Sequence, residues 1–103
     1  MDDLRIALEA DDERQIVAVC GEIDIATAPQ LRAALTSVCG SGAQDIVLDL
    51  REVTFLDSVG LRELIRAVDT CDEHAAKLSL VTSPTVERLL EVTGLVSALP
   101  LQG

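Results

Sequence analysis

A chain of 103 residues with eighteen Asp and Glu against eight Lys and Arg, a formal net charge of -10, is sized for one domain with one core. That acidity argues against direct nucleic-acid binding, since a phosphate backbone would be repelled, and leaves either plain solubility or a protein partner with a positive face. No apolar run of about 18 residues and no basic-then-apolar leader is present, so neither a membrane span nor secretion is expected and a cytoplasmic location is. Phe55 is the single aromatic residue, which requires an aliphatic core of Leu, Val, Ile and Ala and makes Phe55 itself an expected core filler anchoring the loop before Ser58.

In chain order, Leu4 to Leu8 and Gln15 to Ile23 read as two strands joined by the acidic turn Ala10-Asp11-Asp12-Glu13-Arg14, an expected antiparallel pair. Thr27 with Gln30 three residues on reads as a capping box, and Pro29 suits a first helical turn. The helix it opens carries the stripe Leu31, Ala34, Leu35 and Val38 and stops at Gly40-Ser41-Gly42. Asp45 to Leu50 is a β-branched-rich run typical of a buried parallel strand. A short loop is then expected, and from Ser58 to Cys71 the period changes to a helical one, with Leu61, Leu64, Ile65 and Val68 as the apolar stripe. Lys77 to Thr82 is a fourth strand. Ser83-Pro84 starts a third helix that faces Val86, Leu89 and Leu90 inward and ends at Gly94. Alternation of strands and helices predicts an α/β fold over residues 1–103, a four- to five-stranded, mostly parallel mixed sheet. Right-handed crossovers would put the first two helices on one face.

Asp57 and Ser58 fall at the N-cap boundary of the second helix, where side-chain oxygens accept from unpaired backbone N–H groups. The same donors and the positive end of the helix dipole would accommodate a phosphate on Ser58, but from spacing alone a plain cap is the usual role of such a serine. Gly60, one turn in, costs about 1 kcal/mol against alanine in a helix, so packing or close approach of another molecule must account for it. Catalysis has little support. The one histidine, His74, lies in Asp72-Glu73-His74 at an expected helix end, a helix length from Ser58. No metal-ligand spacing and no cofactor fingerprint is present. The three cysteines, Cys20, Cys39 and Cys71, form no CxxC and can serve as small apolar residues. Cys39 and Cys71, each near the end of a helix, form a possible redox pair.

The segment Asp57-Ser58-Val59-Gly60-Leu61, preceded by Asp49-Leu50 and Val53-Thr54-Phe55-Leu56, resembles the phosphorylation-site motif of the STAS-domain anti-sigma factor antagonists of bacteria. Gly21-Glu22-Ile23-Asp24-Ile25-Ala26-Thr27-Ala28-Pro29-Gln30-Leu31 is similar to that family's other signature, and Val92-Thr93-Gly94-Leu95 to its closing segment, so the resemblance spans roughly residues 4–99. It implies a single STAS-like domain without cofactor. It further implies a partner switch in which the unmodified protein binds an anti-sigma factor, itself a histidine-kinase-like serine kinase, and thereby frees a sigma factor. The kinase would phosphorylate Ser58 and a serine/threonine phosphatase would reset it. The partner-binding residues implied are Asp24, Thr27, Asp57, Ser58, Val59, Gly60, Leu61 and Arg62. Asp24 has a loop-capping role as its ordinary alternative, and Thr54 is first a structural hydroxyl. The chain departs from the family pattern at Arg51-Glu52 and at Val59, where Ser or Thr is common, but keeps the acceptor. Other duties of STAS-like modules stay open at this point: stressosome-type scaffold, lipid-transport accessory subunit, transporter tail, or nucleotide binding at the start of the second helix.

Overall fold

The computed structural model describes residues 4–11 and 14–93. The elements run β1 (Arg5–Asp11), β2 (Arg14–Ile23), α1 (Ala28–Cys39), β3 (Asp45–Leu56), α2 (Ser58–Glu73), β4 (Lys77–Val81) and α3 (Pro84–Thr93). Four strands form one sheet in the order β1-β2-β3-β4, with β1 antiparallel to β2 and the other two pairings parallel, which is the mixed α/β sheet that the sequence predicts.

One strand face carries the core. Val17 and Val19 of β2, Ile46, Leu48 and Leu50 of β3, and Leu78 and Leu80 of β4 are buried at the alternate positions that a pleated strand turns to one side. The two parallel crossovers bring α1 and α2 together over this face, with Leu31, Leu35 and Val38 from one and Leu61, Leu64 and Ala67 from the other in the same cluster. Helix α3 lies against β3 and adds Val86 and Leu90, both fully buried; Leu89 packs at the margin.

Four local expectations are corrected. First, no loop follows Leu50, because β3 continues to Leu56. Its buried residues there are Leu50, Val53 and Leu56, spaced by three where a regular strand would give two. Register shifts against β2 near Ala18/Cys20 and Gly21/Glu22 supply the extra residues, and Gly21 takes a φ of 115° at the second of them. Second, Phe55 is not in the core but 42% exposed, because that irregular register leaves it paired with Glu22 on the outside.

Third, Thr27 and Gln30 make no capping box. Thr27 stands before α1, but its hydroxyl donates to the Glu22 carbonyl at 2.8 Å, and the Gln30 amide donates to the Leu4 carbonyl at 3.0 Å. These bonds fasten α1 to the preceding strands rather than cap it. Fourth, the buried stripe of α2 is Gly60, Leu61, Glu63, Leu64, Ala67 and Cys71, with Ile65 and Val68 only at its edge. The helix therefore faces the core about one position away from the apolar stripe in the sequence. Helix α1 does stop at Gly40, yet the left-handed residue is Gly42, φ 90°. The Asp12-Glu13 tip of the acidic turn, the Gly94 stop and the segment after it lie outside the described residues.

Candidate functional site

The site forms where β2 and β3 end and α1 and α2 begin. Backbone bonds fix it: the Asp57 N–H donates to the Ile23 carbonyl at 3.2 Å, so the start of α2 lies one residue away from Asp24. Asp24 closes the turn that follows β2. Its Oδ1 accepts from the N–H of Ala26 at 2.9 Å and of Thr27 at 3.0 Å, and lies 3.2 Å from the Thr27 hydroxyl oxygen. The loop-capping role is thus real and is filled by this side chain. Thr27 is half-buried with its hydroxyl committed inside the turn.

On the other side, Asp57 is the N-cap of α2. Its Oδ1 accepts from the N–H of Val59 and of Gly60, each at 3.0 Å. This settles which of the two polar residues caps the helix, and Ser58 is left as its first residue, exposed, with no side-chain hydrogen bond among the described residues. A hydroxyl on the first turn, facing solvent beside the positive end of the helix, is open to modification or contact.

The neighbours of Ser58 divide sharply. Val59 is half-buried and Arg62 exposed. Gly60 and Leu61, implied as docking residues, are buried, Leu61 to 2% exposure, and have no side-chain surface for a partner. A methyl on Gly60 would stand 2.5 Å from Ile23 Cγ2, 2.7 Å from Leu56 Cδ1 and 3.0 Å from the Ile23 carbonyl oxygen. Packing is therefore the reason for this glycine: it lets the first turn of α2 sit directly on the end of β2. Thr54 donates from Oγ1 to the Gly21 carbonyl at 3.4 Å, a structural use across the bulged strands.

Two features escaped the sequence. Ile25, in the turn held by Asp24, is 74% exposed, and with Phe55 it flanks the point where Asp57 meets Ile23. Nothing in a turn requires a large aliphatic residue, which was the available signal. The second is Glu63, buried on α2 and paired with Arg32 of α1, whose guanidinium donates to both carboxylate oxygens. The hydrogen bonds from Arg32 hold the Glu63 carboxyl below its usual range against the opposing effect of burial. An equivalent exposed pairing, Arg51 on Asp49, lowers Asp49 by the same cause.

His74 does not approach Ser58. It caps the far end of α2, its Nδ1 2.9 Å from the Thr70 carbonyl, sixteen residues or about 24 Å along the helix from the serine. Cys39 and Cys71 do meet, as a disulfide between α1 and α2. No group of three or more His, Cys, Asp or Glu suited to a metal occurs among the described residues.

Residues 5–102 match the STAS domain family. The chain is 32% identical over 93 residues, 89% of its length and 86% of the relative's, to the anti-sigma-B factor antagonist of Staphylococcus aureus. Its fold superposes with a TM-score of 0.85 on an anti-sigma factor antagonist from Mycobacterium paratuberculosis, 33% identical and covering 96% of this chain and 85% of that one. It also matches the Bacillus cell fate determinant SpoIIAA in its phosphorylated form at a TM-score of 0.69, 22% identity, and coverage of 96% and 92%. The family match, the curated relative and the fold agree, and the chain belongs to the STAS-domain family of anti-sigma factor antagonists.

Proposed function

We propose that this protein is a regulatory binding protein that docks an anti-sigma factor of the histidine-kinase-like serine kinase type through the Asp24 and Ser58 corner, and that phosphorylation of Ser58 by that kinase releases it. The observation that carries the reading is the division of labour between Asp57 and Ser58. Because the aspartate takes both amide donors, the serine hydroxyl is exposed and unspent at the head of a 16-residue helix.

Phosphate on Ser58 adds about -1.5 to -2 charges beside Asp57 and close to Asp24. Like-charge repulsion across a docked interface costs several kcal/mol, enough to separate the proteins without refolding either. The partner this corner suits has a basic rim, matched to the overall charge of -10, around an apolar recess for Ile25 and Phe55. A serine/threonine phosphatase would restore the docking form. Such a cycle operates in the cytoplasm, and no described helix is long and apolar enough to cross a membrane. Contact residues on this reading are Asp24, Ile25, Phe55, Ser58, Val59 and Arg62, with Thr27, Asp57, Gly60 and Leu61 holding them in place.

The test is incubation of the purified chain with each such kinase-type anti-sigma factor of its own genome and Mg-ATP, followed by intact mass and by binding. The expected result is one added phosphate, absent in Ser58→Ala, with the phosphorylated chain losing its grip on the partner. Phosphate on another residue, or none with any of these kinases, sinks the switch.

A further inference from the structure

The three cysteines differ in environment. Cys39 and Cys71 form a disulfide with Cα atoms 5.2 Å apart and a sequence separation of 32, whereas Cys20 on β2 is free and half-buried. Cys39 is the last residue of α1 and Cys71 stands two before the end of α2. The opposite ends of the same helices start at Thr27 and Ser58. Each helix therefore begins at the candidate site and ends at the sulfurs, roughly 20 Å away.

We propose that Cys39 and Cys71 are a reversible thiol–disulfide site, a second covalent control independent of Ser58, which in the oxidised form ties α1 to α2 and stiffens the frame of the site. The Cα spacing lies inside the range of about 4.4–6.8 Å that a disulfide requires, so neither helix must shift for the bond to close. The seam between the helices then has two fasteners, the Arg32–Glu63 ion pair nearer the site and the sulfur bridge at the far end.

The oxidant is a low-molecular-weight disulfide, RSSR. One cysteine thiolate attacks a sulfur of RSSR, forming a mixed disulfide and expelling RS⁻. The second thiolate attacks the protein sulfur of that mixed disulfide, forming the Cys39–Cys71 bond and expelling another RS⁻. Two electrons pass from the protein thiols to RSSR, and the two protons end on two RSH molecules. The reverse reaction opens the bridge.

Both cysteines are buried, at 1% and 0% exposure, and both lie at helix C-termini, where the dipole disfavours thiolate. Exchange therefore waits for the helix ends to open. The chain leaves the helix at Gly40 directly after Cys39, and at Ala75, φ 56°, four residues after Cys71. The site responds to sustained rather than brief oxidation. Reversibility rests on the cytoplasmic reading above, since thiol pools of such compartments keep most disulfides exchangeable; the placement of the pair does not.

The full chain is equilibrated in mixtures of glutathione and glutathione disulfide, unfolded, alkylated with a maleimide and weighed, a measurement that needs neither kinase nor Ser58. One adduct, on Cys20, is expected at the oxidising end and three at the reducing end, approached equally from either side. Cys39→Ser and Cys71→Ser should each take two adducts at the reducing end and at the oxidising end form no internal bridge, the remaining helix cysteine being either alkylated or held as a mixed disulfide with glutathione. Oxidation should lower the unfolding constant of the parent chain by roughly two to three orders of magnitude and leave that of either variant unchanged. Amide exchange at Thr27, Val59 and Gly60 should slow at least threefold on oxidation. Three adducts throughout, a bridge involving Cys20, a bridge that glutathione cannot open in the native protein, or exchange at the site that ignores the redox state would each overturn the proposal.

Discussion

Replacing Gly60 by alanine tests whether this glycine is there for packing. An alanine methyl would stand 2.5 Å from Ile23 Cγ2, 2.7 Å from Leu56 Cδ1 and 3.0 Å from the Ile23 carbonyl oxygen, where ordinary contact begins near 3.5 Å. Leu56 can rotate its methyl away. Ile23 cannot, because a β-branched side chain is stiff and this one is fully buried, and its carbonyl is held by the Asp57 N–H. The first turn of α2 must then lift off β2. Overpacking of this kind costs about 1–3 kcal/mol, and the better helix propensity of alanine returns up to about 1 kcal/mol. Three contacts this short, one of them to backbone, put the cost in the upper half of that range, so the net expectation is a loss of about 1–2 kcal/mol in urea unfolding, or roughly 4–8 °C in Tm for each kcal/mol lost. In an Ile23→Ala background the obstructing methyl is gone, and Gly60→Ala should cost at least about 1 kcal/mol less there. Equal or higher stability of the single variant in the parent chain would refute the packing argument and return Gly60 to the partner surface.

Three further outcomes follow from the geometry. Ala75 sits in the left-handed region just past α2, where a non-glycine residue pays about 1–2 kcal/mol and glycine forfeits about 0.5–1 kcal/mol of chain entropy, so Ala75→Gly should stabilise by about 0.5–1 kcal/mol in thermal or urea melts; destabilisation would contradict the cap. Glu63 has a folded pKa held below its unfolded value, chiefly by hydrogen bonds from Arg32, so its contribution is complete above the unfolded carboxylate range near pH 4.3 and drains away as pH falls through the lowered folded value. Glu63→Gln should therefore be less stable at neutral pH and show a shallower acid limb, and parallel stability–pH curves for the two proteins would rule out the pairing. Ile25→Ala should leave stability within about 0.5 kcal/mol, since the side chain is 74% exposed, yet weaken partner binding about tenfold or more; unaltered affinity by titration calorimetry would remove Ile25 from the interface.

Much of the fold was legible because local rules and packing coincide over most of the chain. The runs Asp45 to Leu50 and Lys77 to Val81, the helix from Ser58, and the start at Pro84 each obey one period with ordinary punctuation. The start of the second helix at Ser58 was equally readable, from the cap residues Asp57 and Ser58 and the helical period from Leu61, although the loop expected between Leu50 and that helix is strand.

What the residues could not show was decided by register and by contacts between distant segments. Leu50, Val53 and Leu56 are spaced for neither strand nor helix, and only the mismatch with β2 makes them one bulged strand that turns Phe55 outward. The choice of Asp57 over Ser58 as cap depends on backbone angles, and the burial of Gly60 depends on Ile23, 37 positions earlier in the chain. Pairing of Glu63 with Arg32 likewise required α1 and α2 to lie in one particular alignment, which also brought together Cys39 and Cys71, a pair the sequence could raise only as a possibility, because a side chain's sequence neighbours say what it can bond with but not what folding brings within reach.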